Sequence, residues 1–513
     1  MTLMSFPVLP TQPLFTPVRI PLLGSIHLSQ EERDVVAWLQ MRAWRNRASM
    51  LMTDSYYRGE QILTSMGVSI PKELAGLRTI VGWPAIAIDP IDERLSVEGF
   101  RMANATDSDQ TLYDIWQDND LDAEQSLAHI DAMSMGRAYL TVGSNPEPGE
   151  SPIISAESPL NISVRWDVRS RKPIAALQTY WLDERRQGAL YLPDQTIHLG
   201  EDDDYQWQVI DRDQHNFGMV PVVRMANRPR SNMRDGASEI TPAIMSVTDA
   251  ACRTLLQLDV AGEIYSVPQR YALGVTESDF QDANGQIKTA WQTYITRMLA
   301  LERDEDGNLP TLGQFPAYDP ATFTKVIDMY ASKMAGMLGA PPQDLGLYSE
   351  GNPASADAIR SSEARRDRKA KRKQALFGCA WVQAMQMAMR FLNGGDLPEA
   401  AKRMEADWAD PATPTPAATT DALQKQVAAG MVSPTSDVVL KRAGYSAVER
   451  ARLAEDRKLD QGASILAELA HSLQAKEART DLAVARDINP AAVNPTAAPA
   501  NDNPTSRNGP QQR

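Results

Sequence analysis

Eight basic side chains crowd one short segment of the sequence: Arg360, Arg365, Arg366, Arg368, Lys369, Lys371, Arg372 and Lys373, against only Glu363 and Asp367. Guanidinium and ammonium groups at this density can meet phosphate oxygens, pair with carboxylates, or stay solvated on a helix laced with local ion pairs. At 100° per residue the eight positions cover roughly 240° of a helix circumference. The remaining strip, Ala356, Ile359, Glu363, Asp367, Ala370, Gln374 and Phe377, holds both acids. An ion in a dry core needs a partner, so this half of the helix has to meet water, acidic neighbours or phosphate. A base-reading recognition helix fits less well. The same helix runs on into "ALFGCAWVQAMQMAMRF", apolar almost all round and without a zipper heptad.

Other chemistry is hard to find. No G-x-x-x-x-G-K-[ST] loop is present to cradle a nucleotide, and H-E-x-x-H is absent. The histidines at 27, 129, 198, 215 and 471 are scattered. "GEDDDYQW" at 200–207 reads as a solvated turn between strands, with no second ligand group beside it. "ERDEDGN" at 302–308 mimics the start of a calcium loop, but the closing Glu would fall on Gly313. "MSMGRAYLTVG" lacks a G-x-S-x-G elbow, and Met385, Met387 and Met389 read as core filler. No catalytic residue, cofactor site or metal ligand is expected.

The whole chain opposes its basic helix: 513 residues carry a formal net charge of −14, with 43% hydrophobic and 23% charged residues. The length suggests about three domains. An acidic balance excludes a protein whose whole surface coats nucleic acid and suits one that must not stick to DNA indiscriminately. Cys252 and Cys379 are too few for a disulfide scaffold or a cysteine-cluster metal site, which fits a reducing compartment. The N-terminus is apolar but lacks a basic region, and Pro7, Pro10, Pro13, Pro17 and Pro21 interrupt it, so no signal peptide is read. No stretch approaches the ~18 apolar residues of a membrane span.

The elements that must position the basic helix fall into blocks. Residues 1–27 read as a flexible N-terminal arm. Ser29 with Glu32 makes a capping box for a helix towards Leu63, and "DQTLYDIWQDNDLDAEQSLAHIDAMSMG" is a helical segment ending at Gly136. From Arg137 to about Asn227 short β-type runs follow: "AYLTVG", "NISVRWDV", "AALQTYW", "ALYLPDQTIHL", "YQWQVI" and "PVVRMAN". Residues 28–237 therefore read as an α+β domain. Two struts come next, 238–265 and 319–339, the first with an apolar stripe of Ile240, Ile244, Val247, Ala251, Leu255 and Leu258. Between them, 266–318 forms a small mixed insert with a strand in "QRYALGV", a helix in "GQIKTAWQTYITRMLALE" and a hairpin arm after the Asp306-Gly307 turn. Asn352-Pro353 opens the longest helix, which ends near 391–395. A proline-rich linker after Asp410 leads to an Ala-rich helical region to about 485, with a helix-turn-helix-like part in "KRAGYSAVERARLAED". Residues 486–513 read as a disordered tail. The class is α+β, mainly helical.

The run "MLGAPPQDLGLYSEGNPASADAIRSSEARRDRKAKRKQALFGCAW" (337–381) resembles the most characteristic part of tailed-bacteriophage portal proteins, in the branch related to the portal of the Bacillus phage SPP1 that is common in phages of actinobacteria. "YYRGEQIL", "SMGRAYLTVG", "SPLNISVRWDVRSRKPIAAL", "GMVPVVRMANRPR", "GASEITPAIMSVTDA" and "VPQRYALG" agree in order and spacing, so the resemblance spans roughly residues 30–475. It implies a homo-oligomeric ring of twelve subunits around a central tunnel for double-stranded DNA, with no enzymatic activity and no cofactor. In that architecture 28–237 is the wing, 238–265 and 319–339 the stem, 266–318 the clip, and 340–358 the tunnel loop with Asn352, Pro353 and Ser355. Residues 359–395 are the helix returning to the wing, and 396–485 the crown. The implied partners are the terminase, a head-tail adaptor, and the major capsid and scaffolding proteins, with no membrane. The implied location is the capsid portal vertex of the virion, after assembly in the host cytoplasm. The eight basic residues are then expected to touch the DNA in the tunnel or acids of the adjacent subunit. A metal-dependent nuclease, or a regulator binding DNA through 354–373, are the competing readings.

Overall fold

In the computed structural model, which describes residues 28–63, 79–265, 270–273, 311–314, 319–347, 356–412, 416–445 and 449–459 apart from positions 104, 106, 107, 146, 148, 183, 204–206 and 451, the first helix starts at its expected cap. Ser29 Oγ accepts the Glu32 amide at 3.2 Å, and the Glu32 carboxylate accepts the Ser29 amide at 2.8 Å. This closed box opens α1 (Gln30–Tyr57). The helix stops at Tyr57, short of Leu63, where Gly59 turns the chain with φ 68°. The short helices α2 (Trp83–Ile86) and α3 (Asp89–Asp92) follow, then strand β1 (Val97–Arg101). The helical segment expected up to Gly136 is two helices, α4 (Gln110–Asp118) and α5 (Leu121–Met135), broken where Asp120 takes φ 49°. Gly136, at φ 93°, ends the second as expected.

The β-type runs become β2 (Arg137–Gly143), β3 (Ile153–Glu157), β4 (Ile162–Trp166), β5 (Pro173–Leu182), β6 (Arg185–Tyr191), β7 (Gln195–Glu201), β8 (Trp207–Gln214) and β9 (Val222–Ala226). "ALYLPDQTIHL" is a hairpin rather than one run, since Pro193 and Asp194 form the turn between β6 and β7. Strands β4 to β8 make a five-stranded antiparallel meander in sequence order. Over it lies the first turns of α1, where Leu28, Val36 and Leu39 bury against Leu177, Leu190, Leu199 and Trp207. Arg212 of β8 grips Glu32 at 2.8 Å and holds its carboxyl down at about 2.

A second, three-stranded sheet of order β3-β2-β9 lies at the main core. Next come α6 (Pro242–Tyr265), β10 (Arg270–Leu273), β11 (Thr311–Gln314), α7 (Ala321–Leu338) and α8 (Ala356–Leu392). Helix α6 starts four residues later than Ser238, at Pro242, because residues 237–240 are taken up in hydrogen bonds to Asn227 and Met133. Helix α7 ends as expected at Gly339, φ 64°. Ile240, Ile244 and Ala251 join Ala331, Met334 and Leu338 in the main core, with Phe377, Trp381 and Met385 of α8.

The two struts leave that core. Among the described side chains none is buried in 253–262 of α6 or in 321–330 of α7, and the antiparallel pair β10–β11 lies between their far ends in the chain. At 1.5 Å per residue the two rods are about 36 and 27 Å long. The insert's expected helix and Asp306-Gly307 turn, the arm 1–27, the residues Asn352, Pro353 and Ser355, and the tail 486–513 lie outside the described residues.

The strand β12 (Glu405–Trp408) pairs antiparallel with β1, some 300 residues earlier, and a 3-10 turn at Glu399–Arg403 precedes it. Residues 396–412 thus pack with the first compact unit, and the chain divides between Ala412 and Thr413. The second unit carries α9 (Pro416–Ala428) and α10 (Asp437–Arg442), with Leu423 and Val439 buried. Among the described residues no helix is long and apolar enough to cross a membrane.

Candidate functional site

Helix α8 is about 55 Å long by its 37 residues and changes character midway. Its second half is core: Phe377, Trp381, Ala384, Met385 and Ala388 are fully buried. Trp381 donates its indole N–H to His129 Nε2 at 3.1 Å, which leaves the imidazole proton on Nδ1, facing Asp92 at 3.4 Å. Complete burial pushes His129 below its ordinary pKa despite Asp92, so the ring is neutral. This is a packed polar pair, both rings fully buried in the core.

The first half carries the basic residues, and the structure sorts them into three sets. On the inner side, Arg94 reaches both acids of the strip, Glu363 at 3.7 Å and Asp367 at 3.5 Å. Arg366, mostly buried, pairs with Asp344 of the 3-10 turn Pro342–Leu345. Lys373, 5% exposed, donates to Asn227 Oδ1 and to Glu239 Oε1, the latter at 2.5 Å. Burial works against charge on Glu239, but the Lys373 ammonium and Arg228 guanidinium prevail and hold its carboxyl below the ordinary range. Arg366 and Lys373 thus have carboxylate partners inside their own chain. The physical reason is desolvation: each is too buried to remain unpaired.

A second set closes the end of α7. Lys369 Nζ donates to Leu338 O at 2.5 Å and Arg365 Nη1 to Gly336 O at 3.3 Å. The last carbonyls of a helix lack intrahelical partners and carry the negative end of its dipole, so two cations there are well placed. Gly339 is required at the crossing. Its φ of 64° suits glycine, and a Cβ would lie 2.4 Å from Arg365 Nε.

The third set faces outward. Among the described residues, Arg368 is exposed and bonds its own helix, to Ala364 O at 3.0 Å, while Lys371 is exposed with Asp410 at 3.7 Å. Arg372 is exposed and makes no ion pair among the described residues. Arg360 lies in the helix, but its side chain is outside what the structure describes.

Between α1, the 228–240 segment, the start of α6, the end of α7 and the basic half of α8 lies a cleft of about 1030 Å³. Arg228, Arg230, Arg365, Lys369, Arg372 and Lys373 line it, with Glu239 as the one carboxylate among the described residues. Arg228 holds φ 47°, a region rarely used by residues with a Cβ. Gly236 folds the rim back so tightly that a Cβ would meet Gly136 O at 2.1 Å. Asp344, Glu239, Asn227 and Arg94 complete this site and were not found in the sequence, because each meets α8 through non-local packing that no spacing announces.

Of the acidic stretch at 200–207, Gly200 and Glu201 end β7 and Trp207 opens β8, and "ERDEDGN" lies outside the described residues. Among the described residues no cluster of His, Cys, Asp or Glu could hold a metal ion.

Residues 37–439 match the family model "Phage portal protein, SPP1 Gp6-like". The chain is 37% identical over 406 residues to the "Portal protein" of Mycobacterium phage D29, which covers 77% of this chain and 82% of that protein. The "Portal protein" of Mycobacterium phage L5 is similar to the same extent. A solved structure, "Neck of native GTA particle computed with C12 symmetry", is similar at 15% identity and a TM-score of 0.39, over 74% of this chain and 94% of that one.

Proposed function

The chain belongs to the SPP1 Gp6-like phage portal protein family, a family of structural and non-enzymatic proteins, and on that premise we propose how its parts serve a DNA channel at the capsid vertex. Copies stand side by side in a ring, twelve in the closed form, around an axis that passes double-stranded DNA during packaging and ejection. The α+β region 28–237 together with α8 and residues 396–412 is the wing. Helices α6 and α7 are the stem, 266–318 is the clip that docks the terminase and later the head-tail adaptor, and 340–358 with Asn352, Pro353 and Ser355 is the tunnel loop. The region after Thr413 is the crown, and the outer wing meets major capsid and scaffolding proteins.

The observation that carries this reading is the pair of rods leaving the core. Leu255 and Leu258 belong to an apolar stripe that one chain leaves only half covered, and Met329 of the other rod is 45% exposed. Apolar rods of this length are stable when neighbours cover them, as copies around an axis do.

The three sets of cations also acquire distinct roles. Arg360, Arg368 and Lys371 fall within about 80° of one another by helical spacing, away from the cleft-lining set. These are the residues left to touch phosphate or a neighbour. Phosphate contacts that are individually weak let a duplex slide, and a net charge of −14 keeps it from sticking elsewhere. Native mass measurement of the purified protein tests the assembly: a discrete multiple of 56.6 kDa is expected, and a single-chain species at all micromolar concentrations would contradict it.

A further inference from the structure

Helix α1 turns four large apolar side chains to solvent: Trp38, Met41, Trp44 and Met52, which are 40%, 49%, 56% and 50% exposed. By helical spacing they lie within about 120° on one face. Single exposed apolar residues are ordinary, but a contiguous stripe marks a contact surface. The guanidinium groups of Arg42 and Arg165 sit 5.4 and 5.2 Å from the Trp38 ring centroid and steady it in its exposed position. The stripe runs into the basic cleft, because Asn46, Ser49 and Met52 of α1 are among its lining residues. Around the cleft Arg228, Arg230, Arg365 and Arg372 are exposed, and Glu239, the one lining carboxylate among the described residues, is already paired with Lys373. Tryptophan, methionine and arginine together are what the cores of protein–protein interfaces favour.

The same chain carries the complement. From Met102 to Gly136 every Asp, Glu, Lys or Arg in the sequence is acidic. On the helices α4 and α5 of that stretch Asp114 and Asp118 are exposed, one turn apart, and Tyr113 and Leu127 are exposed with them. An acidic lobe with apolar side chains fits a basic cleft continuous with an apolar stripe, both in charge and in chemistry.

We propose that the α4–α5 lobe of one copy docks on the α1 stripe and basic cleft of the next copy. Two different surfaces of one chain in contact form a head-to-tail interface, which is the kind a closed ring repeats. The proposal rests on the chain forming a ring. It gives the cleft-lining arginines to the neighbouring subunit and leaves Arg360, Arg368 and Lys371 to the duplex.

Two charge-reversed chains test it. In the first, Arg228→Glu, Arg230→Glu and Arg372→Glu reverse the cleft; in the second, Asp114→Lys and Asp118→Lys reverse the lobe. Circular dichroism and thermal melting establish that each chain is folded. Each alone is expected to lose ring formation by at least about tenfold in native mass spectra, since like charges then face each other. An equal mixture restores rings containing both chains in equal number, because each acidic lobe then meets a normal basic cleft and each basic lobe a reversed acidic cleft, in alternation. The chain carrying all five substitutions also recovers. Rings undiminished by either set overturn the proposal, and so do lost rings that neither mixing nor combination recovers. A wild-type chain that never leaves the monomer contradicts the ring itself, and this contact with it.

Discussion

The two halves of α8 belong to one continuous helix and are buried by different means. From Phe377 onward the helix is held mainly by apolar packing, with the hydrogen bond from Trp381 to His129 inside it. Before Ala370 it is held by ions: Arg94 on Glu363 and Asp367, Arg366 on Asp344, and Lys369 and Arg365 on the open carbonyls of α7. A hydrophobic half locks into the main core, whereas an ionic half can grip the end of α7 and still present cations to water. The difference shows that a basic cluster in an acidic protein need not have one purpose. The face of the helix decides.

The comparison breaks most sharply in the apolar half. Trp381→Ala removes a fully buried ring and leaves His129 without its donor, and should cost about 3–5 kcal/mol by urea unfolding. In the ionic half, Lys373→Met takes the nearest cation from the buried Glu239 carboxylate, leaving Arg228 at 3.8 Å, at a cost of about 3 kcal/mol. Adding Glu239→Gln to the same chain should recover most of that loss. If both the single and the double variant are neutral, the ions are not what holds this half. Gly339→Ala forces a left-handed backbone onto a residue with a Cβ and pushes on Arg365, and a loss of about 1–2 kcal/mol is expected in the same assay.

His129 adds a pH signature that only the apolar half should show. Its native pKa lies below the ordinary 6.5, so the unfolded chain binds the proton more readily. Stability from this group is complete above about pH 6.5 and falls as pH drops below it, by up to about 1.4 kcal/mol per unit. In His129→Gln, whose amide oxygen can still accept from Trp381, that component of the pH dependence should disappear from melting curves. The smallest effect on stability belongs to the outward face: Arg368→Gln with Lys371→Gln should change it by no more than about 0.5 kcal/mol. Rings of that variant are expected to assemble normally and to package less DNA. Failed assembly would instead assign these two residues to a subunit contact.

Local chemistry was legible in the sequence where one short stretch decides the outcome. Ser29 and Glu32 name the start of α1, Gly136 and Gly339 the ends of α5 and α7, and the alternating runs the strands of the meander. The apolar second half of α8 was equally plain. What was missed depends on distance along the chain. Strand β12 has only four residues and forms through β1, some 300 residues away, so nothing local marks it. The turn at Pro193 and Asp194 was hidden inside an apolar run that reads as one strand. Nothing in the sequence set Arg366 and Lys373 apart from the other six cations, and only the fold supplies Asp344 and Glu239 as their partners. For the same reason the sequence treated eight cations as one group, and the structure divides them.

The central claim is that α6 and α7 stand as rods around a hollow axis. Single-particle electron microscopy of the assembled protein measures this directly. A ring is expected in which neighbouring copies of 253–262 and 321–330 flank an axial opening wide enough for duplex DNA. Particles in which those segments are buried within one chain's own globule, with no axial opening, would contradict it.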